Sequence, residues 1–269
     1  MSKTLISSLF VASLIFLFAC RKTSTGLDLQ APSSEAQSKT LPHFKKCQLE
    51  KVAFAFEDGW SKRSVVFSYN NQGDPVSIIQ LPYTTTGFPN YFFVYDNKHR
   101  LTEMFRMYGN GKVGEGGGES YNKYFYASPG SKEIIMDSAY YYPYFQNGIL
   151  INYFGGAQAT WYLYDDKGRV IRDSAVTDNN SQHTRVTNYT YDANGNRTGR
   201  IYDNKVNLHR THEIWMFLDR DYSLNNPFTA QTYNAQQLPT DVDLTGVPGQ
   251  GLSFLILYLK RASLSYDCK

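Results

Sequence analysis

The chain has 269 residues, a formal charge of +3 and three cysteines. Its Lys and Arg residues are scattered along the sequence instead of gathered into a basic stripe, so no nucleic-acid partner is expected. Aromatic residues make up 16%, with 22 tyrosines, and such side chains suit pleated, half-buried strands.

In chain order, the first feature is a leader. Lys3 precedes an apolar run from Leu5 to Phe18 that only serines interrupt, followed by Leu17-Phe18-Ala19-Cys20. The run is too short for a membrane span and has the layout of a secretory signal, predicted over residues 1–19. A small residue before Cys20 resembles the lipobox of a bacterial lipoprotein. That resemblance implies cleavage before Cys20, lipidation of Cys20, and anchoring in a Gram-negative envelope, with the outer membrane expected and both its faces left open. Residues 20–42 carry the lipidated terminus and a tether rich in Ser, Thr, Gln and Ala, which would span on the order of 25 Å as a coil. Residues 43–269 have one texture and are expected to form a single β domain.

A repeat then organises the chain. An aromatic residue, one spacer and Tyr recur as Phe67-x-Tyr69, Phe93-x-Tyr95, Tyr124-x-Tyr126, Tyr162-x-Tyr164 and Tyr189-x-Tyr191, with Tyr-to-Tyr spacings of 26, 31, 38 and 27. Residues i and i+2 of a strand share a face, so each pair predicts a strand with two aromatics on one side. Turn chemistry follows: Asn70–Gly73, Asp96–His99, Ala127–Gly130, Asp165–Gly168 and Asp192–Gly195. Asp or Asn at the first position accepts backbone N–H groups, and Gly at the fourth tolerates positive φ. Ala127 breaks this pattern; His99 tolerates the left-handed region and is expected to keep its turn. Return strands are read at Glu133–Tyr140 and Arg169–Val176. Thr211–Asp219 is ambiguous, but Ile214, Trp215 and Phe217 favour a strand. The expected fold is all-β: an antiparallel meander of consecutive hairpins, forming a strongly curved sheet or a closed barrel.

Tyr164-Asp165-x-x-Gly168-Arg169 resembles the tyrosine–aspartate repeat of Rhs-type shell proteins. Over residues 47–269 the pattern is more similar to a group of Bacteroidota-type lipoproteins of unknown function, with such hairpin repeats and a porin-like curved sheet or barrel. Asn225-Asn226-Pro227-Phe228 resembles a loop of that group. The resemblance implies no activity.

Candidate chemistry is sparse. Gly109-x-Gly111-x-x-Gly114 matches a dinucleotide fingerprint, but Glu115–Ser120 will not start the helix it needs, so a hairpin loop is expected. Asp192, Asn194, Asn196 and Asp203 have calcium-loop spacing, yet Arg197 stands near where Gly belongs, which favours a structural turn. His209 and His212 would face opposite sides of a strand. No nucleophile elbow, P-loop or matched pair of carboxylates is visible, so no catalytic residue, metal or cofactor is expected. Asp137-Ser138-Ala139 and Asp173-Ser174-Ala175 resemble the acceptor of Bacteroidota-type O-glycosylation, which would fall on Ser138 and Ser174. Cys47 opens the first predicted strand, where Val52, Phe54 and Phe56 alternate with small residues. Cys268 ends the last strand, and a Cys47–Cys268 disulfide follows if the two strands are antiparallel neighbours. Such a bond would close the sheet or fold its edges together. The expected function is a non-enzymatic envelope role, as a scaffold or in contact with a partner. The alternatives are glycan or small-ligand binding in the concave face or mouth of the sheet, and an envelope hydrolase.

Overall fold

The computed structural model describes residues 47–55, 62–83, 88–109, 113–177, 180–255 and 257–269. All belong to one compact unit, Pro42–Lys269. The expected signal peptide, Cys20, the tether, Phe56 and Gly111 lie outside the described residues.

The strands in chain order are β1 (Cys47–Ala55), β2 (Lys62–Tyr69), β3 (Pro75–Leu81), β4 (Asn90–Tyr95), β5 (Leu101–Met107) and β6 (Gly116–Gly117). Then come β7 (Ser120–Tyr126), β8 (Ile134–Tyr141), β9 (Pro143–Gln146), β10 (Ile149–Tyr153), β11 (Ala157–Tyr164), β12 (Val170–Thr177) and β13 (Asn180–Asn188). A 3-10 turn, Leu208–Thr211, leads into one helix, α1 (Glu213–Asp219). The chain ends with β14 (Thr232–Tyr233), β15 (Pro239–Asp243), β16 (Leu252–Phe254), β17 (Leu257–Leu259) and β18 (Arg261–Cys268). Thirteen strands make one antiparallel sheet in the order β13-β12-β11-β8-β7-β5-β4-β3-β2-β1-β18-β15-β14. The fold is the all-β antiparallel meander that the repeat predicts, and the sheet is open.

The repeat has a physical cause that runs from one hairpin to the next. In Asp165–Arg169 the Asp165 amide donates to the Arg169 carbonyl at 3.0 Å, and Gly168 N–H to the Asp165 carbonyl at 3.1 Å. Asp165 Oδ1 accepts the amides of Lys167 and Arg169 at 3.0 and 2.9 Å. Asn70, Asp96 and Asp192 cap their turns in the same way. His99 adopts φ 60° at the glycine position and keeps the turn. The preceding tyrosine joins repeats: the hydroxyls of Tyr69, Tyr95 and Tyr126 donate to the carbonyls of Leu49, Pro75 and Leu101 on the neighbouring strand, each at 2.9 Å. Tyr164 reaches the carbonyl of Ile134 at 2.8 Å. The arginine closes the unit. Arg169 pairs with Asp165 at 2.7 Å and lies 4.0 Å over the ring of Tyr191, one repeat on. Arg100 does the same with Asp96 and Tyr126. Arg100 also donates to the carbonyls of Ser128, Pro129 and Ser131, at the copy that lacks Asp. A sixth copy, Tyr233–Leu238, escaped the sequence reading because Gln237 stands in for glycine; its φ is 64°, and Asn234 caps the turn.

Thr211–Asp219 is not a strand. Asn207 caps the 3-10 turn through His209 N–H, and His212 Nδ1 accepts the Ile214 amide of α1. Both caps favour helix over the extended form. Trp215 is then fully buried, 5.7 Å from Phe67 on β2 and from Phe93 on β4. Phe217 meets Tyr124 on β7 at 5.9 Å and Tyr162 on β11 at 5.1 Å. From β11 to β2 the sheet takes six inter-strand steps, roughly 29 Å if flat. A seven-residue helix is only about 10 Å long. Its side chains reach this range of strands because the sheet curves around it. The opposite, outer face has a smaller core, Phe105, Met107, Tyr121 and Phe145, where β9 and β10 fold over β5 and β7.

Cys47 and Cys268 are bonded and face each other in register across β1 and β18. The expected closure does not occur. β1 and β18 are interior neighbours, and the edges of the sheet are β13 and β14. Past β18 the sheet continues through β15, whose residues Asp241–Asp243 pair with it.

Gly168 and Gly195 hold φ of 71° and 79°. A Cβ at Gly168 meets nothing within 4 Å, whereas one at Gly195 comes within 3.2 Å of Leu224. Gly168→Val is therefore expected to cost about 1–3 kcal/mol through backbone strain alone, and Gly195→Val more. Denaturant midpoints in the order wild type, G168V, G195V check this; equal midpoints refute it.

Candidate functional site

Among the described residues, recesses lie on the concave face beside either end of α1. The first lies at the turn end of the sheet, beside His212. It encloses about 920 Å³ and is lined by groups of both charge signs, among them Asp74, Arg100, Glu133, Arg210 and Glu213. Asp74 accepts from Asn70 at 3.0 Å and stands 3.1 Å from His99 Nδ1. His212 Nε2 is 4.0 Å from the other Asp74 oxygen. Because His212 Nδ1 accepts a backbone amide, its proton resides on Nε2 and faces Asp74. Among the described residues no group of three or more His, Cys, Asp or Glu side chains could hold a metal ion.

The second recess lies at the far end, beside Arg220, and encloses about 190 Å³. It forms where the inward positions of the strands change from aromatic to polar. Asp137 and Asp173, read only as parts of two Asp-Ser-Ala motifs, are both brought here and buried. A buried pair of carboxylates thus exists where the sequence showed none, and the repeat register places it. β8 and β12 flank β11, with Asp137 opposite Thr160 and Asp173 opposite Tyr162. Tyr162 donates to Asp137 Oδ1, and Asn122 donates to Oδ2 at 2.8 Å. Tyr189 donates to Asp173 Oδ2 at 2.5 Å. Arg220, in the left-handed conformation that ends α1, donates to Tyr162 at 2.5 Å and lies 4.4 Å over its ring. Desolvation raises the Asp137 pKa above its ordinary value despite its donors. Burial, with the hydrogen bond to Asp173, pushes the Tyr189 phenol up to about 12.

Ser138 and Ser174 point the other way, to the outer face, mid-strand and half-buried. Ser174 faces Trp161 and Val186 on the adjacent strands. Gly109 and Gly114 have positive φ, and the short strand β6 follows them. Asp203 and Asn196 are held by protein groups: Asp203 accepts from Asn226, Lys205 and Tyr233, and Asn196 exchanges hydrogen bonds with Asn225. Asn225 and Asn226 thereby pin the loop beneath Phe228, which is buried.

His209 and His212 do not flank a strand. His209 is buried, with Nδ1 2.9 Å from Asn207 Oδ1 and Nε2 2.6 Å from Asp219 Oδ2. Both ring nitrogens face oxygen, an arrangement that only the imidazolium satisfies. Against desolvation, which lowers it, the Asp219 hydrogen bond and the charges of Asp219 and Asp221 raise the His209 pKa above 6.5. Against desolvation, His209 and Ser223 hold Asp221 below the usual carboxylate range. A raised histidine pKa stabilises the fold fully below the unfolded value, and this contribution is lost as pH rises through the folded one. A lowered carboxylate pKa stabilises above the unfolded value, and this contribution is lost as pH falls. The melting temperature is therefore expected to decline as pH rises above about 6.5, and His209→Gln to flatten that decline. Parallel pH profiles for the two proteins would refute it.

The outer face carries a surface that the sequence reading missed. Tyr142, Ile149, Ile151 and Phe154 are 60%, 64%, 56% and 73% exposed around the β9–β10 hairpin. The hairpin turns at Asn147-Gly148, both at positive φ, as a two-residue connection requires. The available signal was charge: from Ser138 to Tyr164 there is no Asp, Glu, Lys, Arg or His, in a chain that is 19% charged.

No protein-family model and no curated protein matches the chain. It is similar to a chain of a solved structure, the crystal structure of TcdB2-TccC3-Cdc42, at 13% identity and a TM-score of 0.29. The match covers 50% of this chain and 7% of that one, and a superposition this loose assigns nothing.

Proposed function

We propose that the protein is a non-enzymatic lipoprotein of a Gram-negative envelope, held to the outer membrane by lipid on Cys20, whose β-repeat domain is a scaffold that contacts a partner protein. The observation that carries this reading is the uncharged, exposed surface of the β9–β10 hairpin. Apolar residues scattered singly on a surface are ordinary, but a contiguous cluster marks a contact site. The outer-face positions of Ser138 and Ser174 agree with O-glycosylation there. The hydrolase alternative has less support, because both oxygens of Asp137 are already engaged by Tyr162 and Asn122.

A photo-crosslinking amino acid at Phe154 is expected to give a discrete adduct with an envelope protein in cells, and one at the exposed turn residue Asp166 is expected to give none. No adduct at either site, or equal labelling at both, removes the partner reading. Separately, Cys20→Ala should release the protein from the membrane fraction, and retention would end the lipoprotein reading.

A further inference from the structure

Three properties of the outer hairpin surface together point to one occupant. The first is rigidity. At the tip of the β9–β10 hairpin, Gly148 N–H donates to the Gly114 carbonyl at 2.9 Å; at its base, Phe154 N–H donates to the Tyr142 carbonyl at 3.2 Å. Tyr142 lies so close over Gly155 that a Cβ there would come within 2.6 Å of its ring. Exposed side chains on a fixed backbone lose little further freedom on contact. The second is area. Tyr142, Tyr144, Ile149, Ile151 and Phe154 are 47–73% exposed. At roughly 200 Å² for each whole side chain, they present roughly 600 Å², against ~800 Å² per partner in a standard interface. The third is charge. The run Ser138–Tyr164 has none. Around a two-fold axis a surface meets its own copy, so a lysine there meets a lysine, and like charges oppose contact. A partner of different sequence can answer Lys with Glu and imposes no such restriction.

We propose that two copies of this chain associate through their β9–β10 hairpins, around a two-fold axis that passes through the uncharged surface. The inference rests on the reading of the hairpin as a contact site and names the partner. Placement favours a second copy over a lipid surface. The chain enters the sheet at Cys47, and Gln48 Nε2 donates to the Gly73 carbonyl at 3.2 Å, so β1 begins at the turn end. β8 starts just after the Ala127–Gly130 turn and runs eight residues to Tyr141. The hairpin therefore stands about 25 Å along the strands from that end, and it lies against the outer face. Two chains anchored in one membrane bring their hairpins to the same height, and an axis along the strands leaves both entry points on the same side. Side chains make the contact, without strand addition. β10 is an edge strand, but its register shifts between Leu150 and Asn152, and such a bulge disrupts the ladder that an added strand needs.

The test uses the full-length chain. Two differently tagged copies, each with the photo-crosslinking residue at Phe154, are expected to give in cells an adduct of twice the monomer mass that carries both tags. In mild detergent, with micelles in excess over chains, sedimentation equilibrium is expected to show monomer and dimer in exchange. Ile149→Lys and Ile149→Glu are each expected to weaken the dimer about tenfold or more, because each sets like charges against one another. Mixing these two variants is expected to restore association, which a contact between equivalent surfaces predicts and a contact with a different protein does not. Ile201→Lys, at an exposed residue in the loop after β13, is expected to leave the dimer unchanged. Melting temperatures equal to wild type show that the variants fold. A Phe154 adduct with a different protein overturns the second copy and leaves the partner reading standing, whereas no adduct at all removes both. An adduct to lipid alone, a chain that stays monomeric, Ile149 variants that associate like wild type, or a Lys/Glu mixture that does not recover also overturns the dimer.

Discussion

Trp215→Ala is expected to destabilise the domain by about 3–5 kcal/mol, the cost of emptying a large aromatic site in a packed core. Trp215 is fully buried and touches three rings edge-on: Phe67, Phe93 and Phe254, at 5.7, 5.7 and 5.5 Å. These belong to β2, β4 and β16, so one side chain ties the interior of the curved sheet to the β16–β17 hairpin. The cavity cannot collapse easily, because Phe67 and Phe93 are held by β2 and β4 in the continuous ladder of the large sheet and Phe254 by the separate β16–β17 pair. Trp215→Phe should recover part of the loss by filling part of the volume. Chemical denaturation of the three proteins measures this. A loss near 1 kcal/mol for the alanine variant would mean that α1 is not the plug of the sheet.

The second large effect is expected from the disulfide. Cys47 and Cys268 are separated by 221 residues in sequence, so the bond constrains nearly the whole domain in its unfolded state. Replacing both by Ser should cost about 2–5 kcal/mol. The loss should appear without fraying at an open edge, because β1 and β18 pair with β2 and β15 on their other sides. Hydrogen exchange across β1 and β18 in the Ser/Ser variant should remain protected to the level of the new global stability. Rapid local exchange confined to these two strands would instead show that the bond is what holds them together.

Much of this protein is decided by short-range chemistry, and that part is legible in the sequence. An Asp or Asn beginning a four-residue turn and a residue that accepts positive φ specify a hairpin through contacts between near neighbours in sequence, and the aromatic-x-Tyr pair before them marks the strand that enters it. His99 could be read this way because its tolerance of the left-handed region is intrinsic. Gln237 could not, because nothing local favours it there. The pairing of Cys47 with Cys268 was also readable, since start and end of antiparallel neighbours coincide.

What only the tertiary structure decided depends on contacts far apart in the chain. Ile214-Trp215-x-Phe217 suits a strand by composition and becomes a helix, because a curved sheet offers an apolar hollow and Asn207 and His212 cap the two turns entering it. Asp137 and Asp173 look like surface residues of a repeat, yet strand register turns both inward to meet Arg220, which the end of α1 delivers. Disulfide adjacency was mistaken for closure: a local pairing rule says which strands touch, but whether a sheet ends there depends on β15 adding beyond β18. Turns follow from neighbours in sequence; the plug, the buried charges and the edges of the sheet follow from which surfaces the whole chain leaves to be filled.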